Sequence, residues 1–140
     1  MADELRRRVR GGSLQEETIF ESLARRARPG ERPEELLFDL ALIDEEDYAL
    51  ELASRTGRPF TGLRGFVADA RLFAYLPLPI AVRERLCPIV LIGDSLKLAT
   101  AFADPDLSYP ARRFPSLQLD LTIAPRRDIL AALNRVTDTL

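Results

Sequence analysis

The sequence predicts an α+β fold, with a helical hairpin or bundle first and then a small mixed α/β part holding about three to four short strands. Three observations predict it. Apolar residues recur at helical spacing over residues 14–56, they alternate with polar residues over 96–102 and 117–123, and prolines punctuate the stretch between. Helices followed by strands among short helices is an α+β order. The chain has 140 residues, 46% of them hydrophobic and 30% charged. That suits one compact domain that buries its own core without a disulfide or metal staple.

The elements follow in order. Residues 1–12 are charged, end in Gly11-Gly12 and read as a flexible arm. Ser13 with Glu16 three residues on has the capping-box pattern and opens a helix over about 14–27, stopped by Pro29-Gly30. Pro33 suits the first turn of a second helix, whose apolar residues are Leu36, Leu37, Leu40 and Ala41. Leu42-Ile43 cross a tight connection to Asp44, which caps a third helix with the acidic first turn Glu45-Glu46-Asp47. Its expected buried face is Tyr48, Ala49, Leu52 and Ala53, and Gly57 falls where a C′ glycine belongs. An extended segment starts at Arg58-Pro59-Phe60, and Asp69 caps a short helix at 70–75. Pro79 opens another short helix. The residue before a proline is pushed towards β, so Cys87-Pro88 begins a strand that runs to Ile92. Gly93-Asp94-Ser95 turns the chain into a return strand, 96–102. Asp104-Pro105-Asp106 caps a short helix cramped by Pro110 and Pro115, then come a half-buried strand, 117–123, and a last helix from 126. The expected organisation is an arm at 1–12, a helical subdomain at 13–57 and an α/β subdomain at 58–140, with the weakest seam near Gly57–Gly65.

Composition removes whole chemistries. There is no histidine, so His-based triads, metal sites and proton shuttles are excluded. The single Cys87 forms neither an internal disulfide nor a thiolate cluster, and its apolar flanks suggest a buried structural residue. Gly11-Gly12 lacks the spacing and the lysine of a phosphate loop. The acidic groups at 45–47 and 104–106 sit at expected helix starts, where carboxylates cap and favour the dipole. The net charge of −2 argues against a nucleic-acid binder, and no apolar run is long enough for a membrane span or a signal peptide. Lys97 is the single lysine, so arginine supplies nearly all the positive charge. Arginine pairs such as Arg25-Arg26, Arg83/Arg85 and Arg112-Arg113 read first as solvated faces, although arginine also binds phosphate or carboxylate in bidentate fashion.

An ordered set of short motifs then becomes visible: Arg32, Leu37, Leu42-Ile43, Asp44-Glu45-Glu46, Leu52, Gly57-Arg58-Pro59-Phe60, Leu76-Pro77, Arg83, Pro88-Ile89, Leu96-Lys97-Leu98-Ala99 and Ala103-Asp104-Pro105. In this order they resemble the N-terminal domain of GspE-type assembly ATPases of type II secretion and type IV pili, an MshEN-like domain without the ATPase motor. The resemblance covers residues 32 to 136. It implies a non-catalytic regulatory or protein-docking domain, without a cofactor, cytoplasmic and recruited to the inner membrane through a partner. That partner is a secretion or pilus platform component, or a polysaccharide-synthesis protein. The docking residues proposed on this basis are Arg25, Arg26, Arg32 and Arg55. The resemblance also implies an alternative, cyclic di-GMP sensing through Arg32, Leu37, Leu42 and Arg55. The family's ligand motif opens with Arg-Leu-Gly, where this chain reads Arg32-Pro33-Glu34. Ala41 stands for its corner glycine and Arg55 for its closing glutamine.

Overall fold

The computed structural model describes residues 32–139. The arm, the helix expected over 14–27, and the docking residues Arg25 and Arg26 lie outside the described residues. Contacts divide the chain into two compact units, Met1–Tyr48 and Ala49–Leu140.

In the first unit Pro33 opens helix α1, Pro33–Asp39, as expected. The helix is short and buries Glu34, Leu37 and Phe38. The expected apolar face is corrected at its end: Leu40 is 55% exposed and Ala41 lies outside the helix. The reason is the cap. Ala41 has φ 55°, its N–H reaches the Phe38 carbonyl at 3.0 Å, and the Leu42 N–H reaches the Leu37 carbonyl at 3.0 Å. These two bonds form a Schellman motif, with an alanine at the left-handed position that glycine usually fills. Two residues later the Asp44 carboxylate accepts the Asp47 N–H at 2.9 Å and caps helix α2, Glu45–Thr56. The Phe38 and Tyr48 rings meet edge to face at 5.3 Å. Along α2 the residues Tyr48, Ala49, Leu52 and Ala53 are all buried, as the periodicity predicts.

The second unit is built on a three-stranded mixed sheet in the order β1-β2-β3. The strands are β1 Leu86–Ile92, β2 Ser95–Thr100 and β3 Gln118–Ile123. β1 and β2 are antiparallel, joined by a two-residue turn with Gly93 at φ 59° in its first central position. Pro88 lacks an N–H for the ladder. It lies on an edge strand, and the register shifts between Pro88 and Val90, where such a residue is tolerated. β2 pairs with β3 in parallel, so residues 101–117 must cross over. That crossover carries helix α4, Ser108–Arg113. Pro110 sits in its first turn, where its missing N–H would have had no partner within the helix. The cramped helix expected after Asp104 therefore forms, but starts later.

The sheet core is Leu96, Leu98, Thr100 and Ile123, all fully buried. The terminal helix α5, Arg126–Thr139, packs across β1 and β2 and against the short helix α3, Leu78–Glu84. The stretch expected as a helix at 70–75 is a 3-10 turn, Ala70–Ala74, packed on β1. The extended segment after α2 joins the sheet. Phe60 bridges Ile123, the Thr61 N–H reaches the Ile123 carbonyl at 2.8 Å, and the Ile123 N–H reaches the Pro59 carbonyl at 2.8 Å. The Thr122 hydroxyl donates its one proton to the Pro59 carbonyl at 2.8 Å, so the Thr61 hydroxyl at 2.7 Å is the donor to Thr122. These bonds hold residues 59–61 within the second unit, and the division between units falls earlier than Gly57–Gly65, at Tyr48/Ala49. The outcome is the α+β fold that the sequence predicts.

Cys87 is buried in β1, and burial pushes its thiol up to about 12. The thiol is neutral at physiological pH and is not a nucleophile. A thiol-specific disulfide reagent at neutral pH is expected to label Cys87 only after denaturant is added. The unfolded thiol ionises near 9.0 and the folded one near 12. Stability contributed by the neutral thiol is therefore complete below about pH 9 and falls as pH rises from there towards 12. Alkaline denaturation of Cys87→Ala, measured against the parent chain, should lose that dependence. The two caps make opposite predictions. Ala41→Gly removes about 1–2 kcal/mol of left-handed strain at a smaller entropy cost and should raise Tm by a few degrees. Asp44→Ala should cost about 1 kcal/mol. Thermal melts followed by circular dichroism check both.

Candidate functional site

Arg32 is the N-cap residue of α1, extended at φ −92° and ψ 131°, and its carbonyl accepts the Glu35 N–H at 3.1 Å. Its side chain makes no capping bond. Leu37 is fully buried and Leu42 is half-buried. The bond between their backbones is the one that closes the α1 cap. Glu34, which the sequence resemblance aligns with the family motif's glycine, is only 5% exposed. Arg55 is exposed in the last turn of α2 and belongs to the second unit. Arg32, Leu37 and Leu42 therefore share the first unit, and Arg55 lies in the other.

Arginine has several structural uses in the second unit. Arg58 donates to the Ala103 carbonyl at 2.8 Å, Arg85 to Val82 at 2.6 Å and Arg135 to Phe66 at 2.7 Å. These guanidiniums tie loops and helix ends to backbone carbonyls. Arg71 is held by Asp69 at 2.8 Å.

A different group of arginines lines an open groove of about 470 Å³ between α3 and α4. Ile80 and Arg83 come from α3, and Ser108, Tyr109, Arg112 and Arg113 come from α4. Tyr109, Arg112 and Arg113 stand at i, i+3 and i+4, so they share one helix face. Arg83 is steadied by Glu84, Nε to Oε2 at 3.1 Å, while Glu84 Oε1 accepts the Asp106 N–H at 2.9 Å. Hydrogen bonds from Ser108, side chain first and backbone second, hold the Asp106 carboxyl below its ordinary range, and the charges of Arg83 and Arg112 add to this. Among the described residues the guanidiniums of Arg112 and Arg113 meet no carboxylate within ion-pair distance.

A second hollow of about 360 Å³ adjoins the first at Arg113 and is walled by Tyr75, Leu91, Phe114, Pro115 and Leu117. The Tyr75 and Phe114 rings meet at 5.0 Å and 60°. The sequence shows Arg83 and Arg112-Arg113 as separate solvated pairs. The i, i+4 spacing was legible, but the approach of α4 to α3 was not. Among the described residues no cluster of His, Cys, Asp and Glu gathers to hold a metal ion, and no helix is long and apolar enough to cross a membrane.

Comparison with known proteins fits this architecture. Residues 56–140 match the MshEN domain. A structure of MshE with cdg (c-di-GMP) overlays with TM-score 0.61 at 24% identity, covering 96% of this chain and 96% of that one. The N-terminal domain of XpsE overlays in two crystal forms, each at 25% identity over 93% of this chain. Their TM-scores are 0.59 and 0.57, over 88% and 87% of those chains. No curated protein matches. The matched span takes in the whole sheet, both grooves and the terminal helix, and the overlays run along nearly the full chain, so the protein belongs to the MshEN domain family.

Proposed function

We propose that this MshEN domain is a non-catalytic regulatory module that works by docking on a partner protein. The observation that carries the reading is the likeness to the N-terminal domain of XpsE over 93% of this chain, at 25% identity. The chemistry agrees with it. The chain has no histidine, its one thiol is buried and neutral, and its carboxylates at 44–47 and 106 serve helix starts. The partner we assign is a component of a secretion or pilus platform, or of a polysaccharide-synthesis system, on the cytoplasmic side of the inner membrane. Arg32 and Arg55, with Arg25 and Arg26, are the docking residues that this reading carries from the sequence. Cross-linking of the immobilised chain in native membrane extract should recover such a component. Recovery of none of these classes would sink the proposal.

A second reading, cyclic di-GMP sensing, is favoured by the likeness to the MshE structure with cdg. It would use Arg32, Leu37, Leu42 and Arg55, all of which precede the matched residues 56–140. Glu34 weakens it, because a buried carboxylate stands where the motif's glycine lets a phosphate approach. Isothermal titration decides between the two. Docking alone predicts no heat with cyclic di-GMP, ATP or GTP. Micromolar binding of cyclic di-GMP that Arg32→Ala abolishes without lowering Tm would establish the sensor.

A further inference from the structure

We infer that the α3–α4 groove and the hollow beside Tyr75 and Phe114 form one peptide-binding surface, and that its occupant is an acidic segment carrying a bulky apolar side chain. The inference rests on the docking reading above and adds a contact surface beyond the docking arginines carried from the sequence, with the chemistry of what fills it.

The two depressions are neighbours, and Arg113 lines both. One end is cationic, with Arg83, Arg112 and Arg113 around an Ile80 and Tyr109 floor. The other is mixed, with apolar walls from Leu91, Phe114 and Pro115 beside Tyr75 and the polar Asp94 and Ser116 at its margin. Arg112 and Arg113 follow one another on an exposed helix end, and among the described residues neither is neutralised by a carboxylate at ion-pair distance. An incoming carboxylate can take a two-point contact from each guanidinium. Exposed charge pairs contribute little singly, so the apolar hollow has to supply the anchor.

The borders of the surface decide what kind of anion fits. Asp106 stands within the field of Arg83 and Arg112, and Asp94 lines the apolar end. A uniformly charged polyphosphate or nucleic-acid backbone following the groove would run against both carboxylates. A peptide places its carboxylates opposite the arginines and its uncharged residues beside Asp94. A free phosphate would occupy the cationic end alone and leave the hollow empty. Acid and apolar anchor together match the whole length.

The test is an amide chemical-shift titration of the full chain with a synthetic peptide of alternating Glu and Ser around a central Phe. The controls are the same peptide with Lys for Glu, the same peptide with Ala for Phe, and tripolyphosphate. Residues 80–84 and 108–117 should shift with the acidic Phe peptide, and the Lys peptide should leave them unmoved. Arg112→Glu with Arg113→Glu should weaken binding by about tenfold or more, and Ala for Phe should weaken it comparably. The milder pair Arg112→Gln and Arg113→Gln, with an unchanged melting curve, separates lost contacts from lost fold. The proposal is overturned if the acidic peptide moves no groove amide, if the charge-reversed chain binds as well, or if tripolyphosphate displaces the peptide as effectively as unlabelled peptide does. A captured partner with no cross-link inside residues 75–117 would overturn the groove and leave the docking reading standing. Groove binding of the peptide with no platform or polysaccharide component captured would do the reverse.

Discussion

Parallel strands cannot be joined by a tight turn, and β2 runs parallel to β3. That pairing governs the second unit. β2 is the central strand, and Leu96, Leu98, Ala99 and Thr100 are buried completely. Its antiparallel neighbour β1 needs only a two-residue turn. Its parallel neighbour requires the crossover that carries α4. The crossover that delivers β3 brings α4 to face α3 across an open gap, and the arginine groove is the space between the two helices. The same strand β3 supplies Ile123 and Thr122, which hold the extended segment 59–61 against the sheet edge. The sheet, the groove and the attachment of the preceding chain thus share one cause.

The first unit is organised by a tight corner instead. Two backbone bonds close α1 and the Asp44 carboxylate starts α2, with few residues between them. Ala41 holds the left-handed position despite the steric cost of its Cβ. The sequence resemblance proposes Leu37 and Leu42 as ligand-motif positions, and the structure gives both a local task, since the bond between their backbones closes the helix. Apolar motif positions of this kind are required by the corner whatever the domain binds.

Function follows from surface more than from buried chemistry. The described carboxylates with lowered pKa, Asp69 and Asp106, are surface groups tied to a neighbouring arginine or serine, and the thiol is sealed in the core. Membership of the MshEN family supplies the frame for a regulatory or docking role. The arginines divide the work between them. Arg58, Arg85 and Arg135 secure loop and helix-end carbonyls, while Arg83, Arg112 and Arg113 face open solvent along a groove.

Local physics made much of this legible in the sequence. Asp44 before Glu45-Glu46-Asp47 marks a helix start, Gly57 and Gly93 sit at left-handed turns, and the alternation over 117–123 marks a strand, because each signal acts over a few residues. The fold class, the buried face of α2, the hairpin and the absence of histidine chemistry all come from that level. The end of α1 is local as well but carries no sequence signal: the chain turns back on its own carbonyls with an alanine at the left-handed position, although Leu40 and Ala41 continue the apolar pattern. Other features were settled only by tertiary contact. Residues 59–61 read only as an extended segment near the weakest seam until Ile123, more than sixty positions away, pairs with them. Arg83 and Arg112 are separate solvated charges in one dimension. Only the parallel crossover, a non-local pairing that no short window contains, brings them to the same groove.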